Sequence, residues 1–402
     1  ARHLATVAPA HRKQQTGRAP NHALITIFLQ GHDMNQAITL PDSATPVELP
    51  AETRRKITDI FTREEIRMLT GRSDLAGFVG IGFTWGVIFL TLAMLAWAAQ
   101  QSLPVAVPLF VFGVTILGGR HLALAILMHE ASHGTLFKTK WLNDTFADWV
   151  CAKPIWNDVQ KYKVHHFAHH SKTGQQGDTD LSLVAGLPCT RASLWRKFAR
   201  DLSGYTGLKF LLGRTLMDAG VIQWTVSNDI QKLPQEGRRW HDYLRDLVSN
   251  GWRTALVHAV LFGLAWASGH AWLYGVFVLT YITPFPLILR IRSMAEHACT
   301  EQSTDMFRNT RSTRAGLLAR MTVAPHRVNY HIEHHVMASV PFRNLPLMHR
   351  MLRERGADAH AQRFHRDEVS ASAAEDLVGL GAALPFLEAH PVAHVLVDPR
   401  DQ

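Results

Sequence analysis

Charge is missing from two long stretches of this sequence. Residues 76–119 contain no Asp, Glu, Lys or Arg, and neither do residues 254–289, so all 42 basic and 33 acidic residues fall elsewhere. A charge-free run of that length is a membrane signature rather than a core helix. It excludes a simple soluble globule. Cysteine is scarce too: Cys151, Cys189 and Cys299 form no CxxC pair, which excludes a disulfide framework and leaves reduced thiols. The formal charge of +9 comes without a basic run interleaved with aromatics. Nucleic acid is therefore not an expected partner, and a basic face against an anionic leaflet is the simpler reading. Apolar residues at 47% and charged residues at 19% exclude wholesale disorder and coiled coil. The apolar stretch 23–29 is too short for a secretory signal.

What is present divides the 402 residues into three parts. Residues 1–50 lack periodicity and read as a flexible N-terminal tail, residues 51–355 as a membrane domain, and residues 356–402 as a cytosolic extension. The stretch 50–71 reads as an amphipathic helix leading to the membrane. A polar turn with Pro104 splits the first charge-free window into spans at about 75–99 and 103–128. Gly269-His270 splits the second into spans at about 252–268 and 271–290, with Pro284 and Pro286 expected to kink the last. Trp97, Trp252, Trp266 and Trp272 fall near span ends, where amphipathic rings favour the interface.

The two short turns carry no Lys or Arg. By the positive-inside rule both termini are therefore cytoplasmic, together with a cap made from residues 129–251 and 291–355. The expected fold is all-α and integral to the membrane: four transmembrane helices in two hairpins under a helical cytosolic cap. Residues 145–156 and 205–224 suit either helices lying along the interface or ordinary cap core. Arg120 and Arg292 read as headgroup anchors.

Histidine carries the chemistry. Of 24 histidines, the informative ones form three boxes: His129-Glu-Ala-Ser-His133, His166-Phe-Ala-His169-His170 and His331-Ile-Glu-His334-His335, with His297 standing alone. Residues three or four apart share a helix face, so the three nitrogens of an HxxHH box are expected to converge. Helix rise puts His129 about 13 Å beyond Arg120 and His297 about 10 Å beyond Arg290, similar heights above the membrane. Nine imidazoles exceed the needs of one ion, and two ions at four or five ligands each fit better. Imidazole alone suits iron, zinc, copper or nickel; a redox-capable pair beside acyl chains favours iron. HExxH alone also matches a zinc peptidase. That reading needs a further ligand, commonly Asp before Gly, and the sequence has no Asp-Gly pair. It also leaves the other two boxes unexplained, as does a simple metal carrier.

The boxes HEASH, HFAHH and HIEHH, with Asn329-Tyr330 before the last and four spans in two hairpins, resemble the membrane fatty acid desaturase superfamily over about residues 60–350. The resemblance implies a cytosolic di-iron site held by His129, His133, His166, His169, His170, His331, His334 and His335, with His297 completing the set. It implies O2 as co-substrate and a lipid or fatty acyl substrate that loses two hydrogens to form a double bond. Hydroxylation, or oxidative decarboxylation to a terminal alkene, is the neighbouring outcome of the same chemistry. Some relatives place Asn one turn before the extra histidine, where this sequence has Ser293.

Ligating imidazoles usually give their other N–H to a carboxylate or carbonyl. Asp178, Asp180, Glu130, Glu296 and Glu333 are the candidates, with Ser293 and Asn329 beside them. His121 and His165 neighbour boxes without fitting their register and read as structural. The sequence has no CxxC, no His-Pro-Gly-Gly and no GxGxxG after a strand. A separate electron donor of ferredoxin, rubredoxin or cytochrome type, with its reductase, is therefore expected, steered by the basic cap. A bacterial inner membrane is the favoured location.

Overall fold

The computed structural model describes residues 56–357. The tail at 1–50 and the extension beyond 357, with His360, His365, His390 and His394, lie outside the described residues. Within them the chain is helical, with a single isolated bridge between Ile222 and Lys232.

The stretch expected as one amphipathic helix is two short ones, α1 (Ile57–Ile60) and α2 (Arg63–Leu69). Thr62 breaks it: its hydroxyl accepts from Glu65 N while the Glu65 carboxylate accepts from Thr62 N, a reciprocal cap that starts a new helix. Ser73 then caps α3 (Asp74–Ala98) by accepting from Ala76 N. α3 is apolar all round, and Leu75, Val79, Phe83 and Leu90 stay exposed on one side, as a lipid-facing helix requires. After a tight turn, α4 (Leu103–Ser132) returns with Pro104 in its first turn, where a missing N–H costs nothing.

α4 is the centre of the molecule. It packs against α3, α5 (Val159–Lys172), α9 (Trp272–Ile282) and α10 (Pro284–His297), and from Ile116 to Ser132 nearly every side chain is buried. Gly119 lets α11 (Leu317–Met321) touch it: a Cβ there would lie 2.3 Å from Met321 O. The neighbouring Arg120 donates from Nη2 to the carbonyls of Met321 at 2.6 Å and Arg320 at 3.1 Å, closing the carbonyl end of α11. Arg120 is thus 1% exposed rather than a headgroup anchor.

Among the described residues, three helical stretches are long and apolar enough to cross a membrane: Arg63–Ala98, Leu103–Ser132 and Trp272–His297. The last is broken at Thr283 (φ −105°, ψ −75°), just before Pro284, because proline disfavours helical geometry in the residue before it. The stretch expected at 252–268 belongs to a longer helix, α8 (Trp240–Ala267), which is not one of the three. Its charges run through Arg253, so only its last part is apolar.

Between α4 and α5, residues 142–155 form three short, irregular helical turns. Cys151, Ala152 and Ile155 are buried there, so this segment is cap core rather than an interfacial helix. Lys153 is buried with it, paired to Asp148 at 3.1 Å and Asp158 at 2.8 Å. α6 (Arg191–Leu202) and α7 (Tyr205–Asp218) follow, and α7 keeps Tyr205, Leu208 and Leu212 exposed. Two more short helices end the described chain, α12 (His331–Val336) and α13 (Leu345–Glu354).

Candidate metal centre

Four helices deliver the three boxes and His297. His129 lies in the last turn of α4, and His133 is the residue that ends it. Asp158 caps α5 by accepting from Gln160 N and Lys161 N, which sets the register of His166, His169 and His170. His297 closes α10. Box 3 makes up all of α12 but its last residue, Val336.

The nine ring nitrogens gather into two adjoining groups. The ligand atoms of His129, His133, His166, His170 and His334 all lie within 4.8 Å of one another. A second group forms around His297, which lies within the same limit of His169 and His335, and also of His331 and Glu296. The two groups meet where the His170 and His335 rings stack at 4.3 Å.

The expectation that each HxxHH box converges on one point is therefore corrected. His166 and His170 face the first group and His169 the second; His331 and His335 face the second group and His334 the first. On a helix, i and i+4 are about 40° apart, while i+3 lies about 60° to the other side. Each box thus straddles the centre.

Nitrogen spacing shows what these groups fit. His170 Nε2 is 2.9 Å from His166 Nε2 and 3.0 Å from His334 Nε2; His331 Nε2 is 2.8 Å from His297 Nε2 and 3.0 Å from His335 Nε2. One proton cannot bridge two such contacts. Burial, and then repulsion from neighbouring imidazoles, hold His166, His170, His334 and His335 well below the usual histidine pKa, so the rings are neutral. Both nitrogens of His129 and Nε2 of His133 are buried without a hydrogen-bond partner. Converging lone pairs with no protons between them call for cations. Imidazole nitrogens at ~2.1 Å from one ion and at right angles would stand ~3 Å apart, which is the spacing found.

The outer faces of several rings are fixed by hydrogen bonds. His169 Nδ1–H donates to Asp178 at 2.6 Å. Burial opposes a charge on His169, but the bond to Asp178 and the charges of Asp180 and Asp178 outweigh it and raise the pKa. Thr173 gives its proton to His169 O, so its oxygen accepts from His335 Nδ1–H at 3.2 Å. Nε2 of His335 is left bare toward the centre. Tyr162 OH lies 3.4 Å from His166 Nδ1.

The remaining candidates divide. Asp180 accepts from His165 Nε2–H at 2.7 Å, so that pair braces α5 rather than a box ring. Glu130 accepts from Thr135 Oγ1 and Phe342 N through one oxygen; its other oxygen is 3.6 Å from His129, too far for a hydrogen bond. Glu333 is buried and accepts from Ser312 Oγ at 2.6 Å and His349 Nδ1–H at 2.5 Å. Ser293 donates back to Leu289 O, and Asn329 Nδ2 donates to Thr313 O, so neither touches a box. Arg292 is no headgroup anchor either, for it pairs with Glu296 at 2.9 Å. His121 donates to Phe277 O and is structural, as expected. Thr173, Ser312 and His349 were invisible to spacing rules, because each meets box 3 only through the fold, whereas Tyr162, one turn before His166 on α5, was open to the helical i, i+4 rule.

Comparison with known proteins decides the class. The sequence matches the family model "Fatty acid desaturase" over residues 104–367, more than half of the chain. The chain belongs to the fatty acid desaturase family. It is 22% identical over 262 residues to a dihydrorhizobitoxine desaturase of Bradyrhizobium elkanii, covering 62% of this chain and 69% of that one. It is 24% identical over 266 residues to the Delta(5) fatty acid desaturase fat-4 of Caenorhabditis elegans, covering 58% of this chain and 54% of that one. This family member is an oxidoreductase, with histidine clusters able to hold metal and helices able to cross a membrane. The peptidase reading of HEASH is set aside, since His129 and His133 share their group with rings from the other two boxes.

Proposed function

We propose that this protein uses two iron ions and O2 to remove two hydrogens from neighbouring carbons of a lipid acyl chain. The observation that carries this reading is the two adjoining groups of ring nitrogens, with His129, His133 and His297 brought to them at the ends of apolar helices. In balance, –CH2–CH2– with O2, two electrons and two protons gives –CH=CH– and two waters. Bound iron supplies the oxidising power to break a C–H bond too weakly acidic for any side chain. Zinc would fit the nitrogens but has no redox chemistry to offer an oxidoreductase.

His129, His133, His166, His170 and His334 would hold one ion, and His169, His297, His331 and His335 the other. Asp178 and Thr173 turn the Nε2 lone pairs of His169 and His335 inward, and burial of the rings excludes water from the site. The last part of α8 serves as a fourth span, with spans at 75–99, 103–128, 252–268 and 271–290. Both termini and the cap then lie in the cytoplasm of a bacterial inner membrane. Electrons arrive from a separate ferredoxin, rubredoxin or cytochrome-type donor with its reductase.

The test is a lipid profile of cells expressing the protein, compared with cells expressing His169→Ala, with an electron donor supplied. New unsaturated chains in the first culture alone are expected. An unchanged profile overturns desaturation of lipid, while hydroxylated chains or terminal alkenes keep the di-iron reading and replace the outcome. Because one relative is named for dihydrorhizobitoxine, the profile includes small metabolites.

A further inference from the structure

Three glutamates adjoin a box or helix-end histidine: Glu130 beside His129, Glu296 beside His297 and Glu333 beside His334. Sequence alone makes them equivalent. The fold does not. Glu130 is engaged by Thr135 and Phe342 N, and Glu333 by Ser312 and His349, all outside the two nitrogen groups. Glu296 alone, among the described residues, is a carboxylate within a group of potential metal donors.

Its surroundings support a specific role. Glu296 is buried, and Arg292, one turn earlier on α10, meets it through Nε on Oε1 at 3.0 Å and Nη2 on Oε2 at 2.9 Å. Each carboxylate oxygen can accept more than once, so Oε2 keeps a free lone pair. Oε2 stands 3.6 Å from His331 Nε2, which in turn is 2.8 Å from His297 Nε2. That separation is too long for a hydrogen bond. Two donors at ~2.1 Å from a shared ion and ~120° apart would stand ~3.6 Å from each other.

We propose that Glu296 is a fifth donor to the second ion, so that the two ions of the reading above sit in unlike sites. One site is five neutral imidazoles; the other is four imidazoles and a carboxylate. Arg292 holds that carboxylate in place. An anionic oxygen donor favours the more highly charged ion, so the iron at His297 is the more readily oxidised of the pair.

The experiment compares Glu296→Gln, Glu296→Asp and Arg292→Gln with wild type, as full-length protein loaded with 57Fe. Iron per chain is measured before and after a chelator wash, and Mössbauer spectra are recorded. Loss of a ligand's supporting group lowers metal affinity about 10–100-fold, and loss of the donor itself is expected to do at least as much. Wild type is expected to keep two irons; E296Q to keep one after the wash, with one spectral component lost; R292Q, which keeps the donor but loses its support, to show both spectral components and to release its second iron faster than wild type and more slowly than E296Q. E296D, which retains the anion and the fold, is expected to release its second iron faster than wild type and carries the test if E296Q does not fold. Equal iron retention and unchanged spectra in E296D and E296Q overturn the proposal, as does R292Q losing iron in parallel with E296Q, the pattern of a mere ion pair. Wild type holding fewer than two irons overturns the di-iron reading instead.

Discussion

His133 ends a helix of 30 residues, whereas His334 rides on a helix of six. Both nitrogens enter the same group, yet the means of holding them differ. Box 1 is placed by the backbone of α4, whose buried length packs on α3, α5, α9 and α10. Box 3 has no such length behind it, since an isolated helix of that size does not hold itself together in water. It is placed by side chains: Ser312 donates to Glu333 and accepts from Ile332 N at 3.0 Å, and His349 donates to the other oxygen of Glu333. One wall of the centre is thus preformed. The other depends on a few polar contacts and on the metal itself.

The largest effect belongs to the shared wall. His170→Ala removes the ring that lies near both His166 and His334 and stacks on His335 across the two groups. Product formation is expected to fall by at least ~100-fold, with loss of bound iron; retention of both would break the comparison at its centre. Asp178→Ala frees His169 without removing it, so iron affinity should drop about 10–100-fold while the fold persists, as read by metal titration and circular dichroism.

Two smaller changes separate the walls. Gly119→Ala drives a methyl against Met321 O on the helix-held side; overpacking of this kind costs about 3 kcal/mol, and the lost stability should be the same with and without metal. Ser312→Ala leaves Glu333 and Ile332 N short of a partner, a cost of about 1–2 kcal/mol. Here the metal-free protein should lose more than the loaded one, because bound iron secures box 3 from its other face. Thermal unfolding of both variants, with and without iron, reads the difference.

Much of this was legible in the sequence because its signals are local. Charge-free windows mark α3, α4 and the α9–α10 pair, box spacing singles out eight of the nine histidines that the fold brings together, and the place of His297 after the last span singles out the ninth. The division of each box between two groups was not legible, since helical periodicity gives bearings around an axis but not where the second group lies. The three glutamates were indistinguishable for a similar reason: Phe342, Ser312 and His349 are far from some of the boxes they touch, and no spacing rule connects them. Arg120 follows the charge-free window and so resembled a headgroup anchor. The glycine pair before it was the available sign of a close backbone approach, which Met321 fulfils. α8 was harder because its charges run into its apolar end.

The most direct measurement is the iron content and Mössbauer spectrum of purified, full-length protein. Two irons per chain, both lost or disturbed in His170→Ala, are predicted from the shared position of that ring. A single tightly held ion, or two that ignore the loss of His170, would contradict a paired centre built from all three boxes.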